Sequence, residues 1–159
     1  MGNTILGAGD PTTGYDVTNS CLFDGTNDNF NITHSGSATG ARRTMTLSCW
    51  VKLGILGSVS STHCNFLNGY VDDNNYSGFG IRDDDRLEAF GRDSGSTSFQ
   101  VQSNATLRDR SAWYHVVFAI DTTQGTNTNR VKIYLNGVQQ GIASSPTWPD
   151  QNLQLDFHS

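Results

Sequence analysis

The side chains able to do chemistry in this 159-residue chain are unevenly chosen: 14 Asp stand against a single Glu, Glu88, with four His and three Cys. Asp and Asn crowd three loops, Asp24/Asn27/Asp28, Asp72/Asp73/Asn74/Asn75 and Asp83/Asp84/Asp85. Calcium takes about six to eight oxygen ligands, which such loops and their carbonyls supply. None completes an EF-hand; counting from Asp24, Asn29 replaces the required Gly and Ser35 the required Glu. The same residues build solvated turns by bonding their own backbone, so both readings stand. Sugars are held by planar hydrogen-bonding groups and by aromatic rings. Asp72, Asp73, Asn74, Asn75 and Tyr76, together with Trp148 in the loop between Pro146 and Pro149, are therefore the expected carbohydrate contacts.

The remaining reactive groups are scattered. His34, His63 and His158 are isolated, and His115 lies in an apolar strand, where a buried imidazole bonded to backbone is expected. No nucleophile elbow, phosphate loop or H-E-x-x-H zinc motif is present. Cys21, Cys49 and Cys64 are odd in number and lack a C-x-x-C pair, which excludes a zinc ribbon and predicts buried free thiols, with a Cys21–Cys49 bridge as the alternative.

The elements that must position these groups are strands. Glu and Lys together supply three residues, so the usual surface of helices is missing and a helical bundle is excluded. A net charge of −5 with no cationic cluster opposes nucleic-acid binding. No apolar run approaches the roughly 18 residues of a membrane span, Met1 to Asp10 lacks the pattern of a secretion signal, and Leu6 spoils the myristoylation motif that Gly2 suggests. The length suits one domain, preceded by an extended arm over residues 1–17 that invites docking on a partner.

From Ser20 onward, short strands are separated by Gly, Asn, Asp and Ser. Cys21 to Phe23 is the first, and Thr44 to Lys52 alternates with a period of two, Met45, Leu47, Cys49 and Val51 pointing one way. Cys64 to Leu67, Ser77 to Arg82, Arg86 to Gly91 and Ser98 to Gln102 follow at the spacing of a sandwich or barrel. Ala112 to Asp121 is apolar on both faces, predicting a central strand covered on each side, with Trp50 and Trp113 packing in the core or on a sheet surface. Asn136-Gly137 predicts a type I′ hairpin between Val131 to Leu135 and Val138 to Ile142.

Cys21 to Asp28, Met45 to Lys52, Trp113 to Asp121 and Val131 to Gly137, in that order, resemble the laminin-G-like, concanavalin A-like jelly roll over residues 18–159. Arg108 to His115 and Asp121 to Tyr134 are similar to jelly-roll domains of tail-fibre-like proteins of marine bacteriophages. The resemblance implies an all-β jelly-roll sandwich and a virion surface protein, a tail fibre or receptor-binding module that binds host-cell glycans. Assembly in the host cytoplasm is then expected, with a purely structural capsid decoration or tail connector as the alternative. The resemblance also implies strands after Leu153 to Phe157, so that either these 159 residues are part of a longer polypeptide or a neighbouring subunit completes the sheet. The sheet edge beside Cys21 to Phe23 is then expected to be open, to pair with other virion proteins and to favour oligomers. No cofactor is required; related domains often bind calcium, which the resemblance places at Asp24, Asn27 and Asp28 or in the Asp72 to Asn75 loop. Glucanases of the superfamily use a Glu-x-Asp-x-x-Glu strand, whereas here Phe90 stands where the Asp belongs after Glu88. A two-carboxylate hydrolase is therefore not expected.

Overall fold

The computed structural model describes residues 41–53 and 63–158. The arm over residues 1–17, the Cys21 to Phe23 strand and the open edge expected beside it lie outside the described residues. Eight strands form two antiparallel sheets: β1 (Thr44–Lys52), β6 (Trp113–Asp121), β7 (Val131–Leu135) and β8 (Val138–Gln139) make one, and β2 (His63–Asp72), β3 (Asn75–Arg82), β4 (Arg86–Asp93) and β5 (Ser96–Thr106) the other. The all-β sandwich expected from the alternation is the observed architecture, with only three short 3-10 turns among the described residues.

A strand turns alternate side chains to opposite faces, so the period of two decides which residues meet between the sheets. Phe79 and Ile81 of β3, Leu87 and Ala89 of β4 and Phe99 and Val101 of β5 face inward against Val116, Phe118 and Ile120 of β6 and Val131 and Ile133 of β7. The Phe79 ring bridges the layers, stacked on Phe118 at 5.0 Å and on Phe157 at 4.9 Å. Phe66, Leu67 and Trp148 pack against this core from its margins.

The turns follow local chemistry. Asn136 (φ 50°) and Gly137 (φ 80°) connect Leu135 to its partner Val138, the expected two-residue hairpin. Ser94 (φ 51°) and Gly95 (φ 78°) do the same between Asp93 and Ser96. Strand lengths differ from expectation in β2 and β5, which are longer, and in β8, which ends at Gln139 instead of Ile142 because the chain then crosses to run beside β5. β2 runs on through Asn68, Gly69 and Asp72, which are weak strand formers, because β3 supplies a ladder partner up to Asp72↔Asn75. Asn75 and Tyr76 thus belong to a strand, and the turn is Asp73-Asn74 alone.

Beyond β5, residues 141–147 run alongside as a further, irregular edge. The Gln100 amide donates to the Thr147 carbonyl at 2.8 Å, Thr147 returns a bond at 2.9 Å, and Ala143 donates to the Gln102 carbonyl at 2.9 Å. The chain itself therefore covers this sheet edge. Cys49 and Cys64 carry free thiols, half-buried, and burial raises the Cys49 thiol above its ordinary pKa.

Asp121, at the end of β6, accepts bonds from the Thr123 hydroxyl (2.6 Å), the Gln124 carboxamide (2.6 Å) and the Thr123 amide (3.0 Å). The Thr123 hydroxyl and then Gln124 hold its carboxyl below the usual carboxylate range. A depressed carboxyl contributes stability above its unfolded pKa that is lost as pH falls through its folded pKa. Thr123→Ala should raise the Asp121 titration midpoint toward an ordinary Asp by NMR, whereas an unmoved midpoint would show that the hydroxyl is not the cause. Phe79→Ala should cost about 3 to 5 kcal/mol in denaturant unfolding, because it removes the ring shared by both layers.

Candidate functional site

The sheet that carries most of the sequence-predicted sugar contacts is β2-β3-β4-β5, and its outward face is unusually rich in hydrogen-bonding groups. Asn65, Asn68 and Tyr70 of β2, Tyr76 of β3 and Thr97 of β5 take outward positions. The cross-strand rows Gly78–Phe90–Gln100 and Gly80–Glu88–Gln102 cross the middle of the same face. Gly78 is required here: a Cβ would stand 2.4 Å from the Phe90 ring, which lies over it. Tyr76 meets that ring edge-on at 6.1 Å.

Glu88 is wholly buried although it points away from the core. Its Oε1 accepts from the carboxamides of Gln100 at 2.8 Å and Gln102 at 2.7 Å, and the Arg82 guanidinium stands 3.6 Å away. A buried carboxylate demands such donors, and here they lock two Gln side chains and an Arg into fixed positions. Two hollows adjoin at Gln100. One, of ≈ 270 Å³, lies over Tyr76, Phe90, Arg92 and Thr97. The other, of ≈ 210 Å³, is bounded by Arg82 and Gln102 and walled by Ala143 to Pro146. Together they form a shallow cleft with an aromatic end and a carboxamide-guanidinium end.

The predicted Asp72 to Asn75 group occupies the turn at one end of this sheet. Asp72 Oδ1 accepts from the Asn74 amide (2.8 Å) and the Asn75 carboxamide (2.9 Å), and the Tyr70 hydroxyl donates to Asp73 Oδ1 at 2.7 Å. Asn75 Oδ1 and the Asn74 carbonyl receive the amides of Ser94 and Gly95 at 3.0 Å each, which docks the β4–β5 turn on the β2–β3 turn. Tyr76 enters the cleft directly. Trp148, beside Thr147 at the opposite edge of the sheet, is half-buried against the core, so the structure separates it from the turn.

Asp24, Asn27 and Asp28 lie outside the described residues. Among the described residues, no group of three His, Cys, Asp or Glu is arranged to hold a metal ion. In the third acidic loop each carboxylate has an arginine: Asp83 with Arg82, Asp84 with Arg86 and Asp85 with Arg110, at 3.2 to 3.4 Å.

Of three sequence expectations, one is narrowed and two are corrected. Trp50 and Trp113 are not core residues; they lie on the sheet surface, 64% and 60% exposed, with the Trp50 ring against His115. β6 is central in its ladder, between β1 and β7, yet only its inner face is fully buried, since no described segment forms a layer over the other. His115 is half-buried on that outer face, where its Nε2 lies 2.9 Å from the Ser48 hydroxyl and its ring 5.1 Å from Trp50. Both faces of β6 are apolar in sequence, so periodicity could not tell the covered one from the open one.

Gln100, Gln102, Arg82 and Phe90 are cleft residues that sequence reasoning passed over. The signal was present as Gln100 and Gln102 alternating with inward Phe99 and Val101, in phase with Glu88 and Phe90. What was missing was the pairing of β4 with β5.

A family model of the concanavalin A-like lectin/glucanases superfamily, Laminin_G_3, matches residues 23–157. The chain belongs to this family. No curated protein and no solved structure matches it. The superfamily includes both binding modules and glucanases. On this sheet face the residues next to Glu88 across the ladder and along β4 are Gly80, Gln102, Phe90 and Arg86, none of them a carboxylate. Glu88→Ala should destabilise the protein by about 3 kcal/mol or more in denaturant unfolding, because it strands buried donors, while Glu88→Gln should cost less.

Proposed function

We propose that the chain is a non-catalytic carbohydrate-binding module of a bacteriophage surface protein, a tail fibre or receptor-binding element that attaches to host-cell glycans. The observation that carries the glycan reading is the Glu88 anchor, which holds Gln100, Gln102 and Arg82 in place beside Tyr76 and Phe90. A sugar ring stacks on aromatic faces while its hydroxyls exchange bonds with fixed carboxamides and guanidinium groups. Groups already held by a buried partner lose little freedom on binding. Tyr76 is a direct contact in this reading, the Asp72, Asp73, Asn74 and Asn75 turn flanks the aromatic end of the cleft beyond Tyr76, and Trp148 lies past the opposite edge of the sheet, half-buried against the core.

Membership of a family of lectin-like folds supports binding as the activity. Hydrolysis would need a second carboxylate at about 5 to 9.5 Å across the scissile bond, and the positions next to Glu88 offer none. The virion role is supported by the resemblance of Arg108 to His115 and Asp121 to Tyr134 to tail-fibre-like jelly rolls.

On an array of bacterial surface glycans the purified protein should bind a limited set. Gln102→Ala should weaken that binding about tenfold, because a fixed hydrogen-bonding group is lost. Tyr76→Ala should weaken it similarly, and no reducing ends should appear on incubation. Binding that is indifferent to both substitutions would overturn the assignment of this cleft, and release of reducing ends would overturn the non-catalytic role.

A further inference from the structure

The opposite outer face of the sandwich, on the β1-β6-β7-β8 sheet, carries a second set of features that the cleft does not use. β1 places Thr44, Thr46, Ser48, Trp50 and Lys52 outward, and all are exposed. Trp50 pairs with His115 and Lys52 with Trp113, so the two indoles are diagonal neighbours on adjacent strands. At 64% and 60% exposure these are among the most exposed large apolar side chains described. Toward the other end of β6 the outward residues shrink to Val117 and Ala119, and an open hollow of ≈ 560 Å³ lies among Thr44, Thr46, Asp121, Gln124, Asn129 and Lys132.

Charge singles out the same face. The chain has two lysines in a net charge of −5, and both are here: Lys52 opposite Trp113, and Lys132 opposite Ala119. Arg42, Arg82, Arg86 and Arg110 are ion-paired with carboxylates, and Arg130 donates to the carbonyls of Gln124, Gly125 and Pro149. Neither lysine makes a hydrogen bond or ion pair among the described residues. The nearby carboxylates are engaged by their own turns, Asp121 by Thr123 and Gln124, and Asp109 by Ser111, with Lys52 adding a small field at Asp109. Trp113 and Ala119 are six residues apart on β6, so the two ammonium groups sit about 20 Å apart along the strand, with the indoles at one end and the hollow at the other.

We propose that this face binds a linear anionic polysaccharide, its rings stacked on Trp50 and Trp113 and its anionic groups paired with Lys52 and Lys132. Aromatic platforms, a hollow lined by hydroxyls and carboxamides beside a carboxylate, Asp121, that its own turn already holds, and two ammonium groups without a hydrogen-bonded partner among the described residues suit a uronate or sulfate-ester chain better than a neutral one. The surface lies on the far side of the core from the Glu88 cleft, so the two sites act independently.

The test is calorimetric titration of the intact protein with three linear hexasaccharides, one neutral, one of uronates and one sulfated, at low salt and at about 0.5 M salt. An anionic hexamer should bind at least about tenfold more tightly than the neutral one, lose that margin in high salt, and lose it in the Lys52→Gln/Lys132→Gln double variant. Which anionic hexamer gains the margin identifies its source. Trp113→Ala should also abolish binding, with circular dichroism checking its fold, and the lysine variant carries the test if it does not fold. Gln102→Ala, in the opposite cleft, should leave the salt-sensitive margin of the anionic hexamer over the neutral one in place, whatever it does to binding common to both. Equal binding by wild type and the lysine variant overturns the proposal, as does binding sensitive only to Gln102→Ala, an outcome that leaves the cleft reading intact. Self-association in light scattering that Trp113→Ala abolishes, without any hexamer binding, would assign the face to a second copy instead.

Discussion

The structure depends on one aromatic contact. Phe79 of β3 lies parallel to Phe118 of β6 at 5.0 Å, and Phe157 covers its other side. Burial of these rings welds the two sheets, and because strand side chains alternate, every neighbour of Phe79 and Phe118 is committed to one face or the other. A one-residue slip would send Glu88, Gln100 and Gln102 into the core and Leu87, Phe99 and Val101 into water. The chemistry of the outer surfaces is thus set by the packing of the inner ones.

Each outward face solves a different physical problem. On β2-β3-β4-β5 the cost of desolvating a carboxylate is met by three donors, and the result is rigidity: Gln100, Gln102 and Arg82 point where Glu88 holds them. Gly78 leaves the room that the Phe90 ring occupies on that face, and Gly80 lets the β2 backbone at Cys64 and Asn65 approach β3 closely. On β1-β6-β7-β8 no such anchor exists. The indoles of Trp50 and Trp113 are simply left in water, a standing free-energy cost that suits a surface made to be covered.

The acidic loops behave otherwise. Asp72 closes its own turn, Asp83, Asp84 and Asp85 each meet an arginine, and Asp109 and Asp121 bind the hydroxyls two residues on. The abundance of Asp over Glu has a structural reason in these segments. A short side chain reaches the backbone amide two residues ahead, and a longer one overshoots it. Turn formation, repeated along the chain, accounts for much of a composition that would otherwise suggest ion binding.

The amino-acid order alone was enough for the all-β class, the phase of β1, the Asn136-Gly137 hairpin and the family, since each rests on residues close together along the chain. Strand ends in β2 and β5 were not legible, because Asn68, Gly69 and Asp72 extend only where a partner strand offers bonds. Nor was the cleft: Glu88 looked like a catalytic residue without its mate, and only the pairing of β4 with β5 turned it into the anchor of Gln100 and Gln102. The exposure of Trp50, Trp113 and His115 was likewise decided in three dimensions. Both faces of β6 read as apolar, and a local pattern carries no information about which of them the second sheet will cover.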